Sequence, residues 1–127
     1  MDREVVASTG RPRPSVPLSA GIKTGAHVYC SGQLPVDPKT NEIVSENIQA
    51  QTRQVLENLN QVLRTAGTSL ARAIKVTVYL TDISEFTAMN EIYTQFFPID
   101  PPARTTVGVS ALARPGCRVE IDLVALI

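Results

Sequence analysis

The chain has 127 residues, 43% of them hydrophobic and 19% charged, enough to bury one core without staples and too few to divide readily into domains. Twelve Lys and Arg balance twelve Asp and Glu, so no net field gathers nucleic acid or an anionic membrane. Nil net charge with high aliphatic content excludes disorder, and the longest apolar run, Leu123 to Ile127, is far short of the roughly 20 residues of a membrane span.

Met1-Asp2-Arg3-Glu4 carries charges of both signs and leads into no apolar signal core, so a cytoplasmic protein is expected. Residues 1–14 contain Arg11-Pro12-Arg13-Pro14 and read as an N-terminal arm that proline keeps from being helix; residues 15–127 read as the folded domain. Leu18 to Ile22 and His27 to Gln33 flank Lys23-Thr24-Gly25, where glycine supplies the freedom for a hairpin turn. Pro35 to Asn41 is a connecting loop.

Ser45 to Ala66 places Ile48, Val55, Leu56, Leu59, Val62, Leu63 and Ala66 on one helical stripe, with Gln, Arg, Glu and Asn opposite. Ser45 is the expected N-cap, and Gly67 suits the left-handed C-terminal position. Ile74 to Leu80 alternates apolar and polar residues and is rich in β-branched side chains, which predicts a strand with one packed face. Asp82 or Ser84 then caps a second helix, whose Phe86, Met89, Ile92, Tyr93 and Phe96 repeat at helical spacing as core and which Pro98 ends.

Arg104 to Leu112 and Cys117 to Ile127 are the last two strands, and the Pro115-Gly116 turn predicts that they pair antiparallel. The order β-β-α-β-α-β-β predicts an α+β fold, a single mixed β-sheet with two helices packed on one face. In the last strand Val119, Ile121, Leu123 and Ala125 share one side, and Glu120, Asp122, Val124 and Leu126 the other. Two helices cover one face only, so the second is expected to be a self-association surface unless the N-terminal arm folds back over it.

Cys30 and Cys117 are too far apart in sequence for a metal knuckle and read as small core thiols; His27 is the only histidine. No metal site is expected. Arg104 follows Pro101-Pro102-Ala103, which stiffens its entry into a strand, and Glu120 lies between Val119 and Ile121. A guanidinium binds a planar carboxylate through two parallel hydrogen bonds and stays charged, whereas a partly desolvated carboxyl orients a water and shuttles its proton. The pair makes a site if both face one cavity. The bland alternative is that they pair with each other, or with Asp122 and Arg118.

Tyr29-Cys-Ser-Gly-Gln-Leu-Pro35, the Asp37-Pro-Lys-Thr-Asn41 turn and Pro102-Ala-Arg-Thr-Thr-Val107 resemble the signature stretches of the RidA (YjgF) family, and Val119 to Ala125 resembles its closing strand. The resemblance runs from about Ser15 to the C-terminus. It implies a chorismate-mutase-like fold assembled as a homotrimer with inter-subunit clefts. The implied activity is hydrolysis of reactive 2-enamine and 2-imine carboxylates to 2-keto acids and ammonia. By the same resemblance Arg104 holds the substrate carboxylate, Glu120 positions water, Ser31 and Gly32 line the cleft, and Asn90 approaches it from the second helix. Imines already hydrolyse unaided in water, so holding the anion and aiming a water suffices without metal, cofactor or covalent nucleophile.

The chain departs from that pattern at three places. Val16-Pro17-Leu18 stands where many members carry a tyrosine, Thr106 replaces a cysteine two residues after the arginine, and the connection from Phe97 to Pro102 is shorter. Leu18 makes its wall apolar and shifts preference toward bulkier substrates or lowers activity; Thr106 still offers a backbone N–H to an anion. Two other functions compete with the deaminase. A non-catalytic sensor of small carboxylates such as 2-keto acids is motivated by Leu18, and the RNA cleavage attached to relatives gains nothing from a neutral chain without tryptophan.

Overall fold

The computed structural model describes residues 2–7 and 15–127. Among the described residues the strands and α-helices are β1 (Glu4–Val6), β2 (Gly21–Thr24), β3 (His27–Gln33), α1 (Ile48–Thr65), β4 (Ala73–Leu80), α2 (Phe86–Phe96), β5 (Ala103–Gly108) and β6 (Val119–Leu126). The strands form one sheet in the order β1-β2-β3-β6-β4-β5. Every neighbouring pair is antiparallel except β4 with β5, so the sheet is mixed, with both helices on one face as expected.

Two local expectations change. The sequence order has no strand before the hairpin, yet Val5 pairs with Ile22 and β1 lengthens the sheet at its edge, whereas Arg11 to Pro14 lie outside the described residues. The N-cap of α1 is Asn47 rather than Ser45. Asn47 Oδ1 accepts from the amides of Gln49 at 2.8 Å and Ala50 at 3.0 Å, and its carbonyl takes the first helical bond from Gln51 N. Ser45 sits outside that turn and accepts from Asn47 N at 3.0 Å. The C-terminus follows the sequence: Gly67 has φ +92°, and Gly67 N and Thr68 N bond back to the carbonyls of Arg64 and Leu63, closing a Schellman motif.

The larger correction concerns β5 and β6, which are not partners. β5 runs parallel to β4 through the crossover of α2, while β6 enters between β3 and β4. A hairpin would have put β6 at an edge, but its Val119, Ile121 and Ala125 are fully buried. That much burial requires strands on both sides and helices above. They meet Val76, Val78 and Leu80 of β4 and Val55, Leu56, Leu59, Val62 and Leu63 of α1 in one core.

Gln51 ties this core to the start of β6. Its side chain is fully buried, donating to Ser45 O at 2.8 Å and Gly116 O at 2.9 Å and accepting from Arg118 N at 2.7 Å. The opposite face of the sheet carries no helix, and Val5 and Tyr29 on it are 58% and 48% exposed. In urea denaturation, Gln51→Ala is expected to lower stability by about 3 kcal/mol, because it strands three backbone groups, against about 1 kcal/mol for Asn47→Ala. Equal losses would show that the Gln51 bonds do not organise this end of the molecule.

Candidate functional site

Arg104 stands on β5, the edge strand, opposite Val76 in register and therefore on the helix side of the sheet. Phe86, Asn90 and Tyr93 recur at intervals of four and three along α2, so they form one stripe. The guanidinium carbon lies 4.5 Å from the centre of the Tyr93 ring and 5.5 Å from that of Phe86. Among the described residues the one ion pair joins Arg118 to Glu85 at 2.8 Å, which leaves the Arg104 charge without a carboxylate. Within one chain this removes the alternative in which Arg104 and Glu120 pair with each other, or with Asp122 and Arg118.

Three buried polar atoms have no hydrogen-bond partner among the described residues: Asn90 Oδ1, Tyr93 Oη and Thr106 Oγ1. Asn90 and Tyr93 belong to the stripe that faces the guanidinium, and Thr106 lies two residues beyond Arg104 on the same side of β5. Buried polar groups are nearly always paired, and each orphan costs about 1–3 kcal/mol; here the Tyr93 and Thr106 hydroxyls can donate to an anion and Asn90 Oδ1 can accept an N–H, a set that suits a ligand carrying both a carboxylate and a nitrogen. Burial raises the Tyr93 phenol pKa, and the neighbouring Arg104 charge and the guanidinium N–H directed at the phenol oxygen partly offset it, which leaves the hydroxyl proton without an acceptor. Sequence spacing assigned Tyr93 to packing. The available signal was a tyrosine in a stripe otherwise built on phenylalanine, since a buried phenol needs somewhere to place its O–H.

Glu120 belongs to the other face. Cys30 pairs with Leu123 and Gln33 with Ile121, so Ser31 and Gly32 together oppose Asp122 as a bulge in β3. The bulge turns Gly32 toward Glu120: a Cβ there would overlap the carboxylate and lie 2.9 Å from its carbon, so only glycine leaves the room. Ser31 Oγ donates to Ser19 O, and Ser31 N donates to Ala20 O at 2.9 Å, which holds the segment carrying Leu18, 51% exposed, beside the bulge. Burial first, and repulsion from Asp122 second, raise the Glu120 pKa above the ordinary carboxyl range. Asp122 accepts a 2.9 Å hydrogen bond from Tyr79 Oη.

The seven site residues expected from sequence thus fall into two groups. Arg104, Thr106 and Asn90 gather under α2, joined by Tyr93; Glu120, Ser31, Gly32 and Leu18 gather at the open face. Within one chain they share no cavity. Glu120 pairs with Tyr79 and Arg104 with Val76, so β4 lies between them and the strand's alternation points them to opposite sides. Grooves of about 340 and 370 Å³ along α1, near Asn60 and Arg64, contain none of the seven. Among the described residues no three His, Cys, Asp or Glu side chains gather as a metal site. Burial first and Asp122 second push the Cys30 thiol up to about 12, so it stays a neutral core group.

This architecture, two helices on one face of a six-stranded mixed sheet, is that of Rid proteins. Escherichia coli TdcF with bound serine matches it with a TM-score of 0.90 and 35% identity, covering 98% of both chains. Residues 8–127 match the family described as Endoribonuclease L-PSP, and the chain belongs to this YjgF/RidA family. A RutC family protein of Pyrococcus horikoshii is 46% identical over 123 residues, 97% of each chain. Reactive Intermediate Deaminase A, chloroplastic, of Arabidopsis thaliana is 37% identical over 123 residues, 97% of this chain and 65% of the relative.

Tyr93→Phe keeps the ring beside Arg104 and removes only the orphaned hydroxyl. Thermal unfolding is expected to show stability unchanged or raised by about 1 kcal/mol, while calorimetry with pyruvate shows weaker binding. A clear loss of stability would mean that the hydroxyl already has a partner.

Proposed function

We propose that the protein hydrolyses reactive 2-imine and 2-enamine carboxylates to 2-keto acids and ammonia, in clefts formed between neighbouring copies of a homotrimer. The observation that carries this reading is the Arg104 guanidinium, free of any carboxylate among the described residues and ringed by three orphaned polar atoms. Kinship with a protein named Reactive Intermediate Deaminase A supports the class of reaction. The serine bound to TdcF fits a ligand that carries a carboxylate next to a nitrogen-bearing carbon.

A single chain cannot bring Arg104 to Glu120, but two copies can. The edge of one sheet, with Arg104, Thr106 and Asn90, meets the open face of the next, with Glu120, Ser31, Gly32 and Leu18. The exposed Val5 and Tyr29 on that face give such contact an apolar component.

In the assembled cleft Arg104 grips the substrate carboxylate through two parallel hydrogen bonds, the Tyr93 hydroxyl donates to a remaining lone pair, and Asn90 Oδ1 accepts from the substrate N–H. Glu120 takes a proton from water as the oxygen attacks the C=N carbon and gives it to the nitrogen, forming a carbinolamine; it then carries the hydroxyl proton to the same nitrogen, so that the C–N bond breaks, ammonia leaves and C=O forms. An enamine first accepts a proton at its terminal carbon and becomes the imine. A carboxyl with a raised pKa suits both tasks, because it holds and releases a proton nearer neutrality than an ordinary glutamate. Leu18 gives the cleft an apolar rim, which favours substrates with larger aliphatic side chains. Ribonuclease action, named in the family description, draws no phosphate attraction from a chain of zero net charge.

The test uses imines generated by an amino-acid oxidase, with keto-acid release followed by semicarbazide trapping. Arg104→Ala and Glu120→Gln are each expected to lose about a hundredfold or more in turnover. Co-refolding the two variants should restore about a quarter of wild-type activity, because random assembly pairs an intact Arg104 with an intact Glu120 in one cleft of four. No recovery on mixing would put the two residues outside a shared cleft. Keto-acid binding with no turnover by the wild-type protein would favour a carboxylate sensor instead.

A further inference from the structure

Glu120 does not sit alone on the open face. Asp122 follows it by two residues on β6 and shares its side of the sheet, and Tyr79 is its cross-strand neighbour on β4. The Tyr79 hydroxyl reaches past Glu120 to donate to Asp122 Oδ2 at 2.9 Å. Two carboxylates this close on a part-buried surface do not ionise independently. A donor committed to one of them therefore decides which of the two carries a remaining proton.

We propose that Tyr79 and Asp122 are positioning residues that keep the last proton of this carboxylate pair on Glu120. The Tyr79 O–H satisfies an ionised Asp122, and the ionised Asp122 then disfavours a second negative charge at Glu120. Gly32 contributes by leaving the space into which the Glu120 carboxyl turns, away from the phenol. The catalytic consequence rests on the deaminase reading above; the proton assignment does not.

Within one chain the groups that face Glu120 are few, and in the assembled cleft proposed above the neighbouring copy's Arg104 joins them as a cation that opposes the rise in its pKa. Asp122 lies along its own strand; Tyr79 lies across on β4, with Thr77 opposite Asp122; Ser31 and Gly32 lie across on β3. Lys75, farther along β4, donates to Thr105 Oγ1 at 2.7 Å. Arg118, two residues before Glu120, is engaged by Glu85 at 2.8 Å. The Cys117 thiol senses the Glu120 charge and the Cys30 thiol that of Asp122, and both have raised pKa values from burial first, so neither supplies a competing charge. Tyr79 feels the same two carboxylates: its pKa is raised by its hydrogen bond to Asp122 first, then by burial and by the charges of Asp122 and Glu120.

The test follows the Glu120 side-chain carboxyl by carbon-detected NMR across a pH titration of the assembled protein. Asp122→Asn retains the shape and a hydrogen-bond acceptor but removes the charge, and should lower the Glu120 midpoint by about one pH unit. Tyr79→Phe removes only the donor and should lower it by a smaller amount, because the hydrogen bond that holds the Asp122 carboxylate in place beside Glu120 is lost. In the imine assay the acid limb of kcat/KM should move down in pH with the NMR midpoint in each variant. A Glu120 midpoint unmoved, or raised, in both variants overturns the proposal. A wild-type protein that releases no keto acid would defeat the deaminase reading, and the NMR titration would still decide the proton assignment.

Discussion

The period-two alternation of a β-strand governs the layout of this protein. β6 sends Val119, Ile121, Leu123 and Ala125 into the core and leaves Glu120 and Asp122 on the uncovered face. β5, pinned parallel to β4, sends Arg104 and Thr106 to the helix side by the same rule. Moving either residue to the other face would require a one-residue slip in register, which would expel an entire row of buried aliphatic side chains. The separation of guanidinium from carboxyl within one chain is therefore set by core packing, and any site that uses both needs surface from two chains.

Each half of the site carries a local cost that the core must offset. Under α2, three polar atoms stay unpaired beside a cation that meets aromatic rings and no anion among the described residues. On the open face two carboxyl groups share one strand, and the bulge at Ser31–Gly32 interrupts the ladder to give one of them room. Such departures persist where the surrounding structure over-determines them. Here the support comes from α1, capped at both ends and locked by Gln51 to the backbone just before Glu120. Arg118 is drawn sideways to Glu85, which engages its charge away from Glu120.

Family membership agrees with this division without replacing it. The matched region, residues 8–127, spans both halves of the site, from Ser31 and Gly32 to Arg104 and Glu120. Chemistry on an already electrophilic C=N carbon asks for little machinery, an anchor for one carboxylate and one proton carrier, and the two halves offer one of each. Thr106 sits with the orphaned group under α2, and Leu18 with the bulge, so the two departures from the family pattern fall in different groups of residues.

Hydrophobic period and local turn chemistry by themselves determined both helices, the β4 and β6 strands, the Schellman end at Gly67 and the uncovered sheet face, because each depends on residues within a few positions of one another. The residues of the two groups were named through stretches around Ser31, Arg104 and Glu120 that carry the family resemblance. Strand order was not legible, because a Pro-Gly turn that suggests a hairpin says nothing of how deeply the next strand must be buried. The N-cap shifted from Ser45 to Asn47 because capping depends on which carbonyl takes the first helical bond. Only the tertiary structure decided that β6 inserts between β3 and β4, that Tyr93 and Tyr79 bring their hydroxyls to the two half-sites, and that Arg104 and Glu120 look away from each other. Those outcomes follow from register between strands distant in sequence, and register is a property of the packed sheet, carried by no single segment of the chain.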